Sequence, residues 1–470
     1  VEQRLLRRLG GFAGGFSLGG GEAICGEGNE GGGLDRLTQL VNKSLVVANR
    51  VSGELARYSL HETIRQYGLE RLAEEGAVES MRDRHAAFYC RLAEEAEPQL
   101  YQTGQMLWMD RLEETYDNLR AALNWALVDH PPAAETGLRL AAALAYYWEM
   151  RGILVEGRRW LTVALEKVNS AATPLRALFY LNAGNFWLEH FDAKKAALCA
   201  KQGLALYQRL EDERGVAWAL RLQGNCLTYI ENDFEKATIL LEQSLALAEE
   251  LDDKALMARV YQNLGRTTMF GGDHSDGLKL AEKGLIIARG IGDRWVIGYL
   301  SYQAGVASIR LGDYAGAEGF LLDSLAVCRD LKLEVNAAKV LNVLGQVARV
   351  QKKYDQAASY CREYLALSRE IAGWEHYSGP LTNLGHVSIR QGDPGRAADF
   401  FRESTDTDKG NNEVFRNLWG LGLVAAAEGR AIQAARLYAV VDKSLEANHN
   451  EISSFREDRE DFQRDIAVVR

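Results

Sequence analysis

The chain has 470 residues, more than one ordinary hydrophobic core accommodates, so two or more domains or a repeat array are expected. It is 47% hydrophobic and 26% charged, which excludes a disordered chain, and its net charge of −10 argues against a protein whose main task is gripping nucleic acid phosphates. No run of 18 apolar residues is present, so no membrane span is expected. The six cysteines are scattered with no Cys-x-x-Cys pair, which excludes zinc ribbons and redox pairs and suits free thiols in helix packing in a reducing cytoplasm.

The chain opens inside what reads as a helix, Val1–Leu9, with no initiator Met and no signal peptide, so a piece of a longer protein is expected. Residues 12–34, FAGGFSLGGGEAICGEGNEGGGL, then carry two strings with catalytic associations. Gly15, Ser17 and Gly19 make the G-x-S-x-G of a nucleophile elbow, and Gly26, Gly28 and Gly31 make the G-x-G-x-x-G of a dinucleotide turn. An elbow needs a strand before the serine and a helix after it. The helical reading of Leu5–Phe12 and the glycines that follow deny both. EAIC is a poor strand for a dinucleotide turn. The expected reading is a glycine-rich surface connection with no catalytic residue. Gly19–Gly21 each cost a helix roughly 1 kcal/mol relative to Ala, so any helix there is expected to be short or frayed.

Residues 34–72 read helix, strand, turn, strand, helix. LDRLTQLVNKSL has helical apolar spacing, SLVVA and RYSL are short strands about a VSGE turn, and HETIRQYGLERLAEE is a helix with Leu60, Ile64, Tyr67, Leu69 and Leu72 as its apolar positions. That order suggests a winged-helix domain over residues 1–80, followed by a helical connector over 81–130. Trp108, Trp125, Trp148 and Trp160 are expected to fill helix-packing gaps.

A period of about 40 residues dominates residues 131–450. LEQSLALAEEL, AEKGLIIARGI, LLDSLAVCRDL and CREYLALSREI sit in register at steps of 40, with Leu245, Leu285, Leu325 and Leu365 in one slot. Gly265, Gly305, Gly345 and Gly385 hold a small slot, with Gly224 one residue early and Gly184 opening the series. Phe234, His274, Tyr314, Tyr354 and Pro394 hold a slot read as a turn, and Ala237, Ala317, Ala357 and Ala397 follow it by three. Each unit holds two amphipathic helices joined by a short polar turn. One hairpin cannot bury its apolar face alone, so about eight must stack into an α-solenoid between 134 and 446. Residues 451–470 read as a final amphipathic capping helix. The fold class expected is mainly α.

The small–turn–aromatic–Ala order resembles tetratricopeptide repeats, with a period longer than their usual 34. FAGGFSL, LDRLTQLVNKSLV and RYSLHETIRQYGLERL resemble the winged-helix segment of STAND signal-transduction ATPases, in the subgroup that includes bacterial transcriptional regulators of the LuxR and SARP types. RHAAFYCRLAEEAEPQL and WMDRLEETYDNLRAALNWAL resemble the connector of the same subgroup. The likeness implies a P-loop module N-terminal to Val1 and an effector domain elsewhere. No G-x-x-x-x-G-K-[ST] occurs, so ATP or ADP is expected only in that missing module, no cofactor is expected in this chain, and no enzyme activity. It also implies an intramolecular contact between the winged helix and the nucleotide-binding module. Arg36, Lys43, Arg50, Arg57 and Arg65 near the wing are diluted by Glu54, Glu62 and Glu70, so direct DNA contact is not expected. The eight histidines offer no metal constellation, His376 and His386 lying ten apart.

Repeat arrays bind partners along the face of their first helices. Counting from the small slot, by the tetratricopeptide likeness, places Trp218, Arg221, Asn225, Arg259, Gln262, Arg266, Tyr299, Tyr302, Lys339, Asn342, Gln346, Arg349, Thr382, His386 and Arg390 on that groove. Basic and amide side chains are prominent there and acids absent, which suits an anionic ligand or acidic peptide. The function this points to is the sensor portion of a cytoplasmic STAND regulator, in which an inducer, small molecule or protein, relieves restraint of the ATPase module. A plain docking scaffold is the alternative.

Overall fold

The computed structural model of the chain describes residues 2–25, 33–49, 56–168, 172–189, 192–370, 377–407, 413–448 and 456–469. The dinucleotide-like string, the VSGE turn, Arg50 and His376 therefore lie outside the described residues. The chain forms two compact units, one of Val1–Leu256 with Ile291–Asp293 and one of Met257–Gly290 with Arg294–Arg470.

The first unit opens with α1 (Glu2–Leu9), β1 (Phe16–Ser17), α2 (Leu18–Cys25), α3 (Gly33–Asn42), β2 (Val47–Asn49), β3 (Arg57–Ser59) and α4 (Glu62–Glu74). β3 is the middle strand of an antiparallel sheet, with Tyr58 opposite both Phe16 and Ala48. Leu9, Phe12, Phe16, Ile24, Leu37, Leu40 and Val46 are buried, and the Phe12 and Phe16 rings stack with centroids 4.4 Å apart.

β1 runs directly into α2, so Ser17 does have a strand before it and a helix after it, contrary to the sequence expectation. The hydroxyl serves the backbone: Ser17 Oγ accepts the Gly20 amide at 3.1 Å, an N-terminal helix cap. The glycines that weaken α2 also let it lie close, since a Cβ on Gly21 would touch the Phe16 ring at 3.4 Å. The helix is eight residues, as short as its glycines require. The apolar stripe expected on α4 is buried only in part. Leu72 and Gly68 are inside, while Tyr67 is exposed beneath the Arg71 guanidinium. A Cβ on Gly68 would stand 3.2 Å from the Leu6 carbonyl, and the bare backbone is what lets α1 approach α4.

Next come α5 (Val78–Ala96), α6 (Gln105–Glu114) and α7 (Tyr116–Asn124). The buried Asn118 of α7 ties this segment to the opening one. Its Oδ1 accepts the Ala13 amide at 2.9 Å, its Nδ2 donates to the Gly15 carbonyl at 2.9 Å, and its Oδ1 lies 3.2 Å from His85 Nε2. Burial pushes His85 down to about 4, so its imidazole is neutral. Trp148 and Trp160 are buried and Trp108 and Trp125 partly so.

Helical hairpins follow: α8 (Ala134–Met150) with α9 (Leu154–Lys167), α10 (Pro174–Glu189) with α11 (Ala193–Arg209), and α12 (Glu213–Cys226) with α13 (Phe234–Glu250). The second unit begins within α14 (Lys254–Phe270), which pairs with α15 (His274–Ile291). Then come α16 (Arg294–Leu311) with α17 (Tyr314–Asp330), α18 (Glu334–Val350) with α19 (Tyr354–Glu370), α20 (Ser378–Arg390) with α21 (Pro394–Thr407), and α22 (Val414–Ala427) with α23 (Ala431–Asn448). The last described helix is α24 (Arg456–Val469). The described residues thus hold eight hairpins in a tetratricopeptide-like α-solenoid. Helices of mostly 17 or 18 residues account for the period of about 40.

The recurrent slots have plain packing reasons. A Cβ on Gly224 or Gly305 would sit 2.8 Å from Leu241 or Leu321, and one on Gly385 would sit 2.5 Å from the Phe401 ring, so these glycines are where paired helices touch. Ala237, Ala317, Ala357 and Ala397 are fully buried opposite them. The slot read as a turn is instead the first residue of the second helix. The turn belongs to the two residues before it. Gly272, Gly312 and Gly392 adopt positive φ, and Asp273, Asp313 and Asp393 then cap the second helix by accepting an amide three residues on at 2.9–3.0 Å. No described helix is long and apolar enough to cross a membrane. All six cysteines are free and buried.

Candidate functional site

The candidate groove residues lie on the first helices of consecutive hairpins, yet most are less open than solvated helix faces would be. In the first unit, α12 carries Trp218, Arg221 and Asn225. Trp218 Nε1 donates to Asp253 Oδ2 at 3.2 Å, and Tyr101 meets the indole edge-on. The Arg221 guanidinium lies 5.4 Å from the Trp218 ring and donates to Asn185 Oδ1 at 2.6 Å. Asn225 is buried, and its Oδ1 has no hydrogen-bond partner among the described residues.

In the second unit, Arg259, Gln262 and Arg266 of α14 are all buried. The Gln262 carbonyl accepts Gln303 Nε2 at 3.0 Å. Arg266 donates to the Tyr299 hydroxyl and lies over the same ring at 5.4 Å. Tyr299 and Tyr302 are one turn apart on α16 and, with Trp295, wall a cavity of about 140 Å³. The buried Val327 and Cys328 of α17 also line it, as do the half-buried Asn336 and the exposed Lys339 of α18. Burial pushes the Cys328 thiol up to about 11, so it is an apolar wall group and no thiolate.

Towards the end of the second unit the candidates meet acids that the first-helix count omitted. Arg349 forms a two-point pair with Asp458 of α24, Nη1 to Oδ1 at 2.7 Å and Nη2 to Oδ2 at 2.6 Å, with both side chains buried. Arg390 donates to Asp461 at 2.8 Å. Burial raises the cost of the Asp458 charge, but the Arg349 guanidinium outweighs it and holds the carboxyl well below the usual range. Asn342 Oδ1 accepts Asn383 Nδ2 at 3.2 Å, and Asn383 Oδ1 in turn accepts Arg416 Nη2 at 2.7 Å. Thr382 is wholly buried and bonds Ser404 and Asn417, so it is a packing group here. Burial and the nearby charges of Arg349 and Arg416 push His386 well below its ordinary value. Its ring lies against Phe401 and Trp419. Gln346 is half-buried.

The sequence count missed Asn383, Arg416, Trp419 and the acids of α24. A signal for the acids existed: Asp458, Asp461 and Asp465 recur at i, i+3 and i+7, one helical face. The structure also brings Glu79, Asp83 and His130 together, their ligand atoms within 4.8 Å of one another. Glu79 and Asp83 are one turn apart on α5, but His130 is too distant in sequence for spacing to reveal the cluster. Near the sheet, Arg57 pairs with Glu114 at 2.9 Å, Arg65 with Glu62 at 2.6 Å, and Lys43 with Glu2.

No family model matches the sequence. Over 364 residues the chain is 31% identical to proteins of Mycobacterium tuberculosis and Mycobacterium bovis that are provisionally named HTH-type transcriptional regulators. The match takes in 75% of this chain, and the chain spans 40% of the length of those relatives. In fold it is similar to a crystal structure from Pyrococcus horikoshii, a signal transduction ATPase with numerous domains that carries a tetratricopeptide repeat sensor. That likeness has a TM-score of 0.65 at 17% identity and covers 98% of this chain and 65% of that one. A second likeness, to the crystal structure of the APC/C hetero-tetramer Cut9-Hcn1, has a TM-score of 0.51 at 16% identity and covers 86% and 75%. At such identities these two are likenesses of fold.

Proposed function

We propose that this chain is the regulatory portion of a bacterial signal-transduction ATPase with numerous domains that controls transcription, and that the first-helix face of its repeats senses an inducer. The observation that carries the reading is the cavity walled by Trp295, Tyr299 and Tyr302 and lined also by Asn336 and Lys339. It offers flat apolar walls with a few polar groups, the composition of a binding site. The similarity to provisionally named regulators supports the transcriptional setting. The fold likeness supports repeats in a sensor role.

In this reading residues 1–80 form a winged helix that packs on the nucleotide-binding module of the parent protein. The basic side chains Lys43, Arg57 and Arg65 are already paired with carboxylates, which favours that role over a grip on DNA. The parent rests in the cytoplasm as a restrained form. An inducer, small molecule or protein, shifts it only by binding the open form more tightly than the resting one. ATP is held by the nucleotide module and not by these residues.

The test is a dose–response of transcription in the full-length parent carrying Tyr299→Ala or Lys339→Glu. The expected result is at least a tenfold rise in the inducer concentration for half-maximal response. An unchanged dose–response in both variants overturns the reading. A partner that binds resting and activated parent equally well would point instead to a docking scaffold without a switch.

A further inference from the structure

The last described helix, α24, is placed and patterned as a ligand. Asp458, Asp461 and Asp465 form one stripe of α24, and Phe462 and Ile466 form the stripe beside it. The acidic stripe meets three successive first helices. Asp458 pairs with Arg349 of α18, Asp461 with Arg390 of α20, and Asp465 Oδ2 accepts Trp419 Nε1 of α22 at 2.9 Å. The apolar stripe buries Phe462 and Ile466 in a cluster with Trp419 and Tyr438.

A helix that merely closed the array would need the apolar contacts of the last hairpin alone. The pair of Asp458 with Arg349 reaches two hairpins further back. A buried ion pair is a weak source of stability, because both charges must lose their water. It is a strong source of register and sequence discrimination, because either charge without the other is costly. The face beneath α24 also has hydrogen-bonding capacity left over. Arg349 Nε, Arg416 Nε and His386 Nε2 are buried with no hydrogen-bond partner among the described residues, and all three side chains are more than nine-tenths buried.

We propose that the first-helix face of the last three hairpins is a binding site for an acidic amphipathic helix of the pattern Asp-x-x-Asp-Phe-x-x-Asp-Ile, and that α24 is its resident occupant, displaced when a partner protein presents a helix of that pattern. The inference rests on reading the first-helix face as the ligand surface of the chain. Being tethered, α24 competes at a local concentration on the order of millimolar, so the intact chain masks the site from all but a matching helix.

The experiment uses a fluorescent peptide of residues 456–469 and the full chain. Wild type should bind it at least tenfold more weakly than the variant Asp458→Asn/Phe462→Ala, whose own α24 is undocked. Adding Arg349→Ala to that variant should abolish binding. Equal binding to wild type and variant, or no binding to a variant whose helical content is retained, overturns the proposal. Should the variant fail to fold, hydrogen exchange on the wild type decides. Excess unlabelled peptide should speed exchange of the α24 amides at least tenfold and leave α22 unchanged, and no change overturns the proposal. If α24 proves fixed while Tyr299→Ala still shifts the response of the parent, this inference falls and the sensor reading stands.

Discussion

Arg349 and Asp458 are 109 residues apart in sequence and joined by two hydrogen bonds, with side chains 8% and 2% exposed. The pair sits between two elements that share no local pattern, and α24 is held by it.

Breaking that pair is therefore costly. Arg349→Ala or Asp458→Ala should each destabilise the chain by about 3–5 kcal/mol, because each leaves a buried charge unmatched. The apolar double replacement Arg349→Met/Asp458→Leu should cost less than either single change. Urea unfolding of the three variants measures this, and a double variant as unstable as the summed singles would contradict it.

The neutral His85 makes the first unit sensitive to acid. Its folded value is about 4 against an ordinary 6.5, so below pH 6.5 the unfolded chain takes up a proton that the folded chain refuses. Stability is full above pH 6.5 and falls as pH drops, by about 1.4 kcal/mol per pH unit and about 3 kcal/mol in all by pH 4. His386 contributes in the same sense in the second unit. His85→Gln should reduce the slope of Tm against pH between 6.5 and 4, and parallel curves for variant and wild type would refute the assignment.

The turn between α18 and α19 departs from the Gly-Asp rule at both positions. Lys352 holds the positive-φ position, φ 63°, where Gly312 and Gly392 stand in its neighbours, and Lys353 stands where they have the capping Asp. A non-glycine residue in that region costs roughly 1–2 kcal/mol, and a missing cap about 1 kcal/mol. Lys352→Gly/Lys353→Asp gives up an exposed pair with Glu318 that is worth little. The double variant should gain about 1–2 kcal/mol in chemical denaturation. A loss of stability would show that the Glu318 pair matters more than the turn.

Phe401 fills the space that two glycines leave. A Cβ on Gly385 or Gly420 would approach its ring to 2.5 Å or 2.2 Å. Gly420→Ala should cost about 1–3 kcal/mol through overpacking. Phe401→Leu in the Gly420→Ala background should recover part of that loss, although alone it destabilises. Additive losses would mean that the ring has room to move.

The helical hairpins were legible in the sequence because their signals are local. Apolar residues at helical spacing, a small slot every 40 residues and buried alanines report contacts made within one hairpin, and Gly224, Gly305, Gly345 and Gly385 repeat them from hairpin to hairpin. The Gly-Asp turn was legible for the same reason, although its register was misread by one position: the recurring aromatic begins the helix that the preceding Asp caps.

The site was legible only as a list of positions. Sequence spacing places Arg349, His386 and Arg390 on first helices, but which acids meet them depends on where α24 packs, and no periodicity encodes that. The same holds for Asn118, whose bonds to Ala13 and Gly15 span more than 100 residues, and for Ser17, whose strand exists only because Tyr58 pairs opposite Phe16. Local sequence thus determined the helices, their turns and their stacking, since each rests on interactions within about 40 residues. Tertiary structure alone decided which charges are matched and which surface is covered, because those outcomes depend on burial across distant segments.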